Sequence, residues 1–229
     1  MKIAVTGASG QLGSLVLDRL SETAPANELV AIVRTPEKGA HLAARGIEIR
    51  CGDYSEIQTL APARAGVNRL LLVSGSDLGN RVAQHRAVIE APKATGVELV
   101  AYTSVLRADT STLPIAGEHK ETEELLHGSG IPYVILRNGW YIENYTERLA
   151  APLAQGAFAG SAGEGRIAPA SRADYAAAAA TVLATDGHQG KIYELVGDER
   201  FSMTELAAAV SGWVGRSLPC KNLAPDGYR

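Results

Sequence analysis

Only two cysteines, Cys51 and Cys220, occur in 229 residues. They stand far apart and match no metal-ligand spacing, so neither a disulfide framework nor a metal site is expected. Each reads as a reduced thiol in or near a strand, in keeping with a cytosolic protein. Aromatic residues make up 5% of the chain, and a net charge of −3 is spread along it. Those scarcities argue against nucleic acid as a partner, because its recognition calls for a basic face or stacking platforms. No apolar run approaches the ~20 residues of a membrane span. The alanine tract 176–180 is short and follows Asp174 and Tyr175, so it reads as a helix. The chain starts directly on a strand, Lys2-Ile3-Ala4-Val5, which predicts no signal peptide and a cytoplasmic location.

What is present is an ordinary globular composition, 46% hydrophobic and 21% charged, with enough apolar material for a sizeable core. Short β-branched runs stand at Ile3–Thr6, Leu29–Val33, Ile47–Cys51, Leu70–Val73, Val97–Thr103 and Tyr133–Leu136. Between them lie stretches of helical spacing at Leu12–Leu20, Pro36–Ala44, Ile57–Ala63, Arg81–Ala91 and Glu118–Leu126. The alternation predicts an α/β fold of the Rossmann type, a doubly wound parallel sheet covered on both faces. The strand runs are apolar throughout, as burial on both sides requires. Pro92 is expected to end or bend the helix before it.

After Arg137 the rhythm changes. Gln155–Ala170 is rich in Gly and Ala and reads as loops and short strands. A helix is expected over Asp174–Ala184 with Asp174 as its N-cap. A strand at Lys191–Val196, a helix at Thr204–Val214 capped by Ser202 or Thr204, and a strand at Leu218–Lys221 follow. Residues 1–229 thus read as one nucleotide-binding domain, to which residues from about 138 to 229 add a smaller α/β substrate lobe.

Thr6-Gly7-Ala8-Ser9-Gly10-Gln11-Leu12-Gly13 joins the first strand to the first helix. Such a loop can be purely structural. Its place in a βαβ unit favours a pyrophosphate site, since glycine lets backbone approach the phosphates at a helix N-terminus. Arg34 ends the second strand, where an NAD enzyme would usually place an acid for the ribose hydroxyl; Lys38 follows one turn on. A guanidinium there favours the 2′-phosphate of NADP(H); a solvated surface charge is the alternative. Asp53, after the third strand, is a candidate for the adenine edge, although a Gly-Asp pair is equally turn chemistry. The small residues of Val73-Ser74-Gly75-Ser76, after the fourth strand, suit passage of a dinucleotide.

The Tyr-x-x-x-Lys pair that protonates a carbonyl oxygen in many reductases of this fold is missing. Four residues after Tyr54, Tyr102, Tyr133, Tyr141, Tyr145, Tyr175 and Tyr193 stand Gln58, Leu106, Arg137, Tyr145, Leu149, Ala179 and Gly197. Reducing a ketone makes an alkoxide whose conjugate acid is about as weak as water, pKa about 15.7, so a general acid is nearly obligatory. Reducing a quinone makes a phenolate-like anion, pKa about 10 as for tyrosine, which hydrogen bonds and solvent can stabilise. The absence therefore points to a quinone, or to a cationic dye that hydride neutralises. Tyr102-Thr103-Ser104 and Arg137-Asn138-Gly139-Trp140-Tyr141-Ile142-Glu143-Asn144 end two strands and are expected to flank the nicotinamide. Trp140 and Tyr141 could stack on a flat acceptor and Asn144 could donate to its oxygen; a packed interlobe loop is the alternative. His119 is the titrating group nearby, and reads more readily as packing than as an acid.

TGASGQLG, the arginine after the second strand, AYTSVLRADTS, the EHKETE helix, LRNGWYIENY and SRADYAAAAA together resemble the NmrA-like atypical short-chain dehydrogenase/reductases. Within them the likeness leans to the bacterial NAD(P)H:quinone oxidoreductases, with triphenylmethane reductases close by, and runs from residue 2 to about 222. The resemblance implies NADP(H) held by Gly7 to Gly13, Arg34, the Ser74-Gly75 turn and the Asn138–Glu143 loop. It also implies a quinone over the nicotinamide, touched by Asn144. Members of the family usually continue beyond Arg229, so the smaller lobe is expected to be shortened and the acceptor to be held less firmly. A quinone reductase is the first functional reading. A non-catalytic NADP(H)-sensing regulator of the NmrA type is the second, and the missing dyad weighs against a sugar-nucleotide epimerase. The expected partners are a small acceptor and a homodimer.

Overall fold

The computed structural model describes residues 1–90 and 96–224; the expectation at Pro92 lies outside the described residues. In chain order the elements are β1 (Ile3–Thr6), α1 (Gln11–Leu20), β2 (Leu29–Val33), α2 (Ala40–Ala43), β3 (Glu48–Cys51), α3 (Ile57–Ala63), β4 (Arg69–Leu72), α4 (Arg81–Glu90), β5 (Leu99–Val105), α5 (Ala116–His127) and β6 (Tyr133–Asn138). There follow α6 (Glu143–Thr146), α7 (Ala150–Gln155), β7 (Phe158–Gly160), β8 (Arg166–Ile167), α8 (Arg172–Ala184), β9 (Ile192–Leu195), β10 (Phe201–Ser202), α9 (Met203–Val214) and β11 (Cys220–Asn222). They form two compact units, Met1–Asn138 with Arg172–Leu195, and Gly139–Ser171 with the residues from Val196 onward.

The first unit holds a parallel sheet of seven strands among the described residues, in the order β3-β2-β1-β4-β5-β6-β9. Every residue of β1 and β2 is buried. Helices on both faces leave such strands no wet side, hence their lack of polar alternation. The edge strand β3 departs from this and is half-exposed, ending on the free thiol of Cys51. On one face, Val16, Leu17 and Leu20 of α1 are buried, and α1 packs on α8, whose Ala176, Ala179 and Ala180 let the two backbones approach. On the other, Leu60, Val88 and Leu126 close over Leu70, Leu72 and Tyr102. A Leu or Ile side chain buried this completely contributes about 1.5–3 kcal/mol. Arg137 at the end of β6 is buried and meets Glu123 of α5 (2.7 Å), Glu194 of β9 (2.8 Å) and Asp109 (3.1 Å). The network ties α5 and the edge strand to β6, and the carboxylates satisfy a cation that would otherwise be costly to bury.

The second unit is smaller. β7 and β11 pair in parallel, β8 and β10 antiparallel. Phe158, Ala207, Val210 and Leu218 form its core. Ser202 caps α9 in a reciprocal box: its hydroxyl accepts from Glu205 N, and Glu205 accepts from Ser202 N at 2.7 Å. Gly215, at φ +67°, ends that helix in the left-handed conformation that glycine adopts without cost.

Several local expectations need correction. Asp174 is not the N-cap of α8: the helix begins at Arg172, placing the carboxylate inside the first turn, where it still complements the dipole. The helix expected over Pro36–Ala44 is a 3₁₀ turn, Pro36–Gly39, followed by the single turn of α2. The short helices α6 and α7 precede the Gly/Ala-rich stretch and were not anticipated; neither is long enough to show a periodicity. Among the described residues no helix is long and apolar enough to cross a membrane.

Candidate functional site

The order of strands reverses between β1 and β4, the switch point where doubly wound sheets bind ligands beyond their carboxyl ends. A cavity of about 410 Å³ lies there, wholly within the first unit. Gly7, Ser9, Gly10, Arg34, Asp53, Val73, Ser74 and Gly75 all line it.

Gly7 opens the loop at φ +58°, a conformation a side chain would strain. Gly10 is the N-cap of α1, and a Cβ there would stand 3.1 Å from Gly7 O. At Gly13 a Cβ would meet Gly7 O at 2.4 Å and Ala8 Cα at 2.9 Å, both backbone. The helix is thus pressed against its own loop, and its free N–H groups open on the cavity with no acidic residue in the first turn. That is an anion cradle which side chains at the glycines would fill. Ala8 and Leu12 are buried behind it, and Gln11 opens α1.

Arg34 at the tip of β2 and Lys38 on the 3₁₀ turn line the same cavity. Two cations line the same cavity as the cradle for phosphates, a donor set suited to a second phosphate. Asp53 is also there, its Oδ1 accepting from Ser55 N at 2.9 Å and its own N–H donating to Thr59 Oγ1 at 2.9 Å.

Thr6 plays a different part. Its hydroxyl donates to Leu71 O (3.0 Å) and accepts from Val73 N (3.0 Å), clamping β1 to the end of β4. The Tyr54 hydroxyl lies 2.5 Å from Thr6 Oγ1 and donates to Val73 O at 2.9 Å. Burial pushes the Tyr54 phenol above its usual range, so it stays a neutral donor. Gln84 donates to Ser55 Oγ (3.1 Å) and Asp77 Oδ2 (3.0 Å), joining the loops that follow β3 and β4 across the cavity wall. Tyr54 and Gln84 escaped the sequence reading, and Lys38 entered it only as a charge beside Arg34. Thr103 does not line the cavity; its Oγ1 accepts from Ser74 N at 2.9 Å. Asn138, 5% exposed, ends β6 with a buried Oδ1 that has no hydrogen-bond partner. His119 is buried in the core with Nδ1 2.7 Å from the Tyr102 hydroxyl; desolvation, with Arg81 adding to it, pushes its pKa down to about 4.

In the second unit, Trp140 and Asn144 line a separate cavity of about 590 Å³ with Tyr145, Phe158, Met203 and Arg148. Gly139, Tyr141, Ile142 and Glu143 are not among its lining. Tyr141 forms an isolated bridge with Ala170, and Ile142 N donates to Ala170 O at 3.0 Å, so this backbone anchors the loop from which Trp140 projects, 46% exposed.

A nucleotide cradle at the switch point of a parallel sheet defines a dinucleotide-binding protein, and residues 7–186 match the NAD(P)H-binding family: the chain belongs to it. Among individual proteins, it is 53% identical to quinone oxidoreductase 2 of Escherichia coli (strain K12), over 97% of this chain and 78% of that one. The crystal structure of the E. coli NADPH-dependent quinone oxidoreductase QOR2 with NADPH matches it with a TM-score of 0.94 over the same shares. Triphenylmethane reductase of Citrobacter sp., solved with NADP(H), is 39% identical with a TM-score of 0.95, over 99% of this chain and 81% of that one. The NAD(P)H azoreductase of Xenophilus azovorans is 31% identical over 94% of this chain and 75% of its own. The resemblance read from the motifs is borne out.

Proposed function

We propose that the chain is an NADPH-dependent oxidoreductase that passes hydride directly to a quinone or similar flat acceptor, without a tyrosine–lysine dyad. The observation that carries this reading is the first-unit cavity, lined both by the glycine cradle at the start of α1 and by the cations Arg34 and Lys38. The unpaired N–H groups of the first turn of α1, reached past Gly7 and Gly10, hold the pyrophosphate, Arg34 and Lys38 pair with the 2′-phosphate, and Asp53 takes the adenine edge. Val73–Gly75 supplies a backbone rail of small residues, with Thr103 and Asn138 beyond it. The bound nicotinamide supplies the hydride. Trp140 and Asn144 offer the acceptor a stacking face and an amide donor. A hydroquinone anion leaves with solvent protons, so no buried acid is needed, and the buried, neutral His119 is not recruited as one. The free thiols Cys51 and Cys220 suit a reducing, cytoplasmic setting.

The test follows NADPH absorbance with benzoquinone or menadione as acceptor. NADPH is expected to be oxidised, and faster than NADH. Binding of NADPH without oxidation by either quinone would reject the enzyme and leave the nucleotide-sensing regulator.

A further inference from the structure

Beyond the sheet, five main-chain groups of the Val73–Gly75 rail are each held by a side chain. Val73 N and O go to Thr6 and Tyr54, and Ser74 N goes to Thr103. Gly75 N donates to His85 Nε2 at 3.0 Å, and Gly75 O accepts from Arg81 Nε at 2.7 Å. We propose that His85 is a positioning residue for the dinucleotide: it fixes the Gly75 turn as an obligate hydrogen-bond acceptor, and Thr122 locks it in the tautomer that can accept. The inference rests on the reading of the first-unit cavity as the NADP(H) site.

The direction of the chain of hydrogen bonds is unique. A backbone N–H can only donate, so His85 Nε2 must keep its lone pair, and a neutral ring then carries its proton on Nδ1. His85 Nδ1 faces Thr122 Oγ1 at 3.0 Å, and the Thr122 hydroxyl donates to Glu118 O at 2.9 Å, leaving its oxygen free to accept. Gly75 N–H, His85, Thr122 and Glu118 O therefore form one relay in which each donor has one acceptor. Neither His85 nor Thr122 has any exposed surface, so no water replaces a lost link.

The ring itself is wedged. Tyr54 and Tyr102 meet it edge-on, with centroids 6.1 Å and 5.4 Å away. The nearby Arg81 is paired with Glu118 at 2.8 Å, and Glu118 also accepts from Gly79 N at 2.6 Å. Helices α4 and α5 thus hold both ends of the Ser74–Gly79 turn. A Cβ on Gly75 would lie 3.8 Å from His85 Nε2, so the ring backs the glycine whose turn lines the nucleotide cavity. Without the acceptor, Gly75 N–H must find a partner on the cavity side, and the rail moves with it.

The experiment compares the full chain with H85Q, H85F and T122V. Glutamine places an amide oxygen near the position of Nε2; phenylalanine fills the volume and accepts nothing. Side-chain ¹⁵N NMR at neutral pH is expected to show His85 protonated on Nδ1 and bare on Nε2. The Kd for NADPH, read by nicotinamide fluorescence, is expected to rise about tenfold in H85F, as for loss of one buried hydrogen bond. A rise is expected also in T122V, which leaves the imidazole in place, while H85Q stays near the parent. A proton on Nε2, or unchanged NADPH affinity in both H85F and T122V, overturns the proposal. Should the parent chain bind no NADPH, the cavity reading itself fails; should it bind and both variants match it, only the role of His85 fails. If H85F does not fold, T122V and the tautomer decide.

Discussion

Acidifying the protein from pH 7 to pH 5 should weaken its first unit sharply, because two histidines are buried there in the neutral form. Desolvation, helped by His119 and Arg81, pushes His85 down to about 3, and desolvation with Arg81 pushes His119 down to about 4. An unfolded chain protonates both near the ordinary value of about 6.5, so below that pH the unfolded state takes up protons that the fold refuses. Stability is complete above about pH 6.5 and falls as pH drops toward the folded values. Each histidine withdraws about 1.4 kcal/mol per pH unit in that window, so the pair withdraws roughly 3–4 kcal/mol by pH 5. That is a large share of the ~5–15 kcal/mol that holds most domains. Glu48, held at about 2 by Arg50 and Lys2, acts in the same direction but only below its ordinary 4.5, outside the window. Urea unfolding followed by far-UV circular dichroism at pH 7, 6 and 5 measures the loss. H85Q, which cannot titrate, should lose about half as much. A midpoint unmoved between pH 7 and 5, or an H85Q slope equal to the parent's, would refute the assignment of buried neutral imidazoles.

Three further outcomes are expected. Arg34→Ala should weaken NADPH about tenfold, the low end for a charge-assisted hydrogen bond because the side chain is exposed, and leave NADH unaffected; calorimetry showing equal losses for both would unseat the 2′-phosphate role. Gly13→Ala, forced against Gly7 O and Ala8 Cα, should cost about 1–3 kcal/mol of stability and reduce NADPH affinity, as overpacking does; thermal unfolding and nicotinamide fluorescence check it. Ser202→Ala should lower the second unit's stability by about 1 kcal/mol, with Ser202→Asp near the parent. Both tryptophans, Trp140 and Trp213, belong to that unit, so their fluorescence reports its unfolding.

The parallel sheet and its cradle were legible because their signals are local. Gly7, Gly10 and Gly13 sit within one βα turn, and Arg34 lies at a fixed spacing beyond them. Continuous apolar runs such as Leu29–Val33 announced burial on both faces. The edge strand β3 was harder to foresee, since exposure there depends on which strand ends the sheet. Tyr54, Gln84 and His85 left no such trace. Tyr54 meets Thr6 and Val73 only because β1 and β4 are neighbours, and His85 meets Gly75 only when α4 folds back along the rail. Thr6 opens the glycine motif in sequence, and only the fold shows its hydroxyl occupied by β4 and Tyr54. The helices α6 and α7, of four and six residues, are too short to show a period and owe their form to tertiary context.

The polypeptide leaves the nucleotide-binding unit after Asn138, returns to it for α8 and β9, and leaves again after Leu195. A chimera with a relative of different acceptor preference therefore cannot be built at one splice point. Exchanging everything beyond Asn138 would replace α8 and β9 as well, setting a foreign helix against α1 and a foreign strand against β6. The second unit is interchangeable only as two inserts grafted together, 139–171 and the stretch from 196 onward, with the loop of α8 and β9 kept from the host.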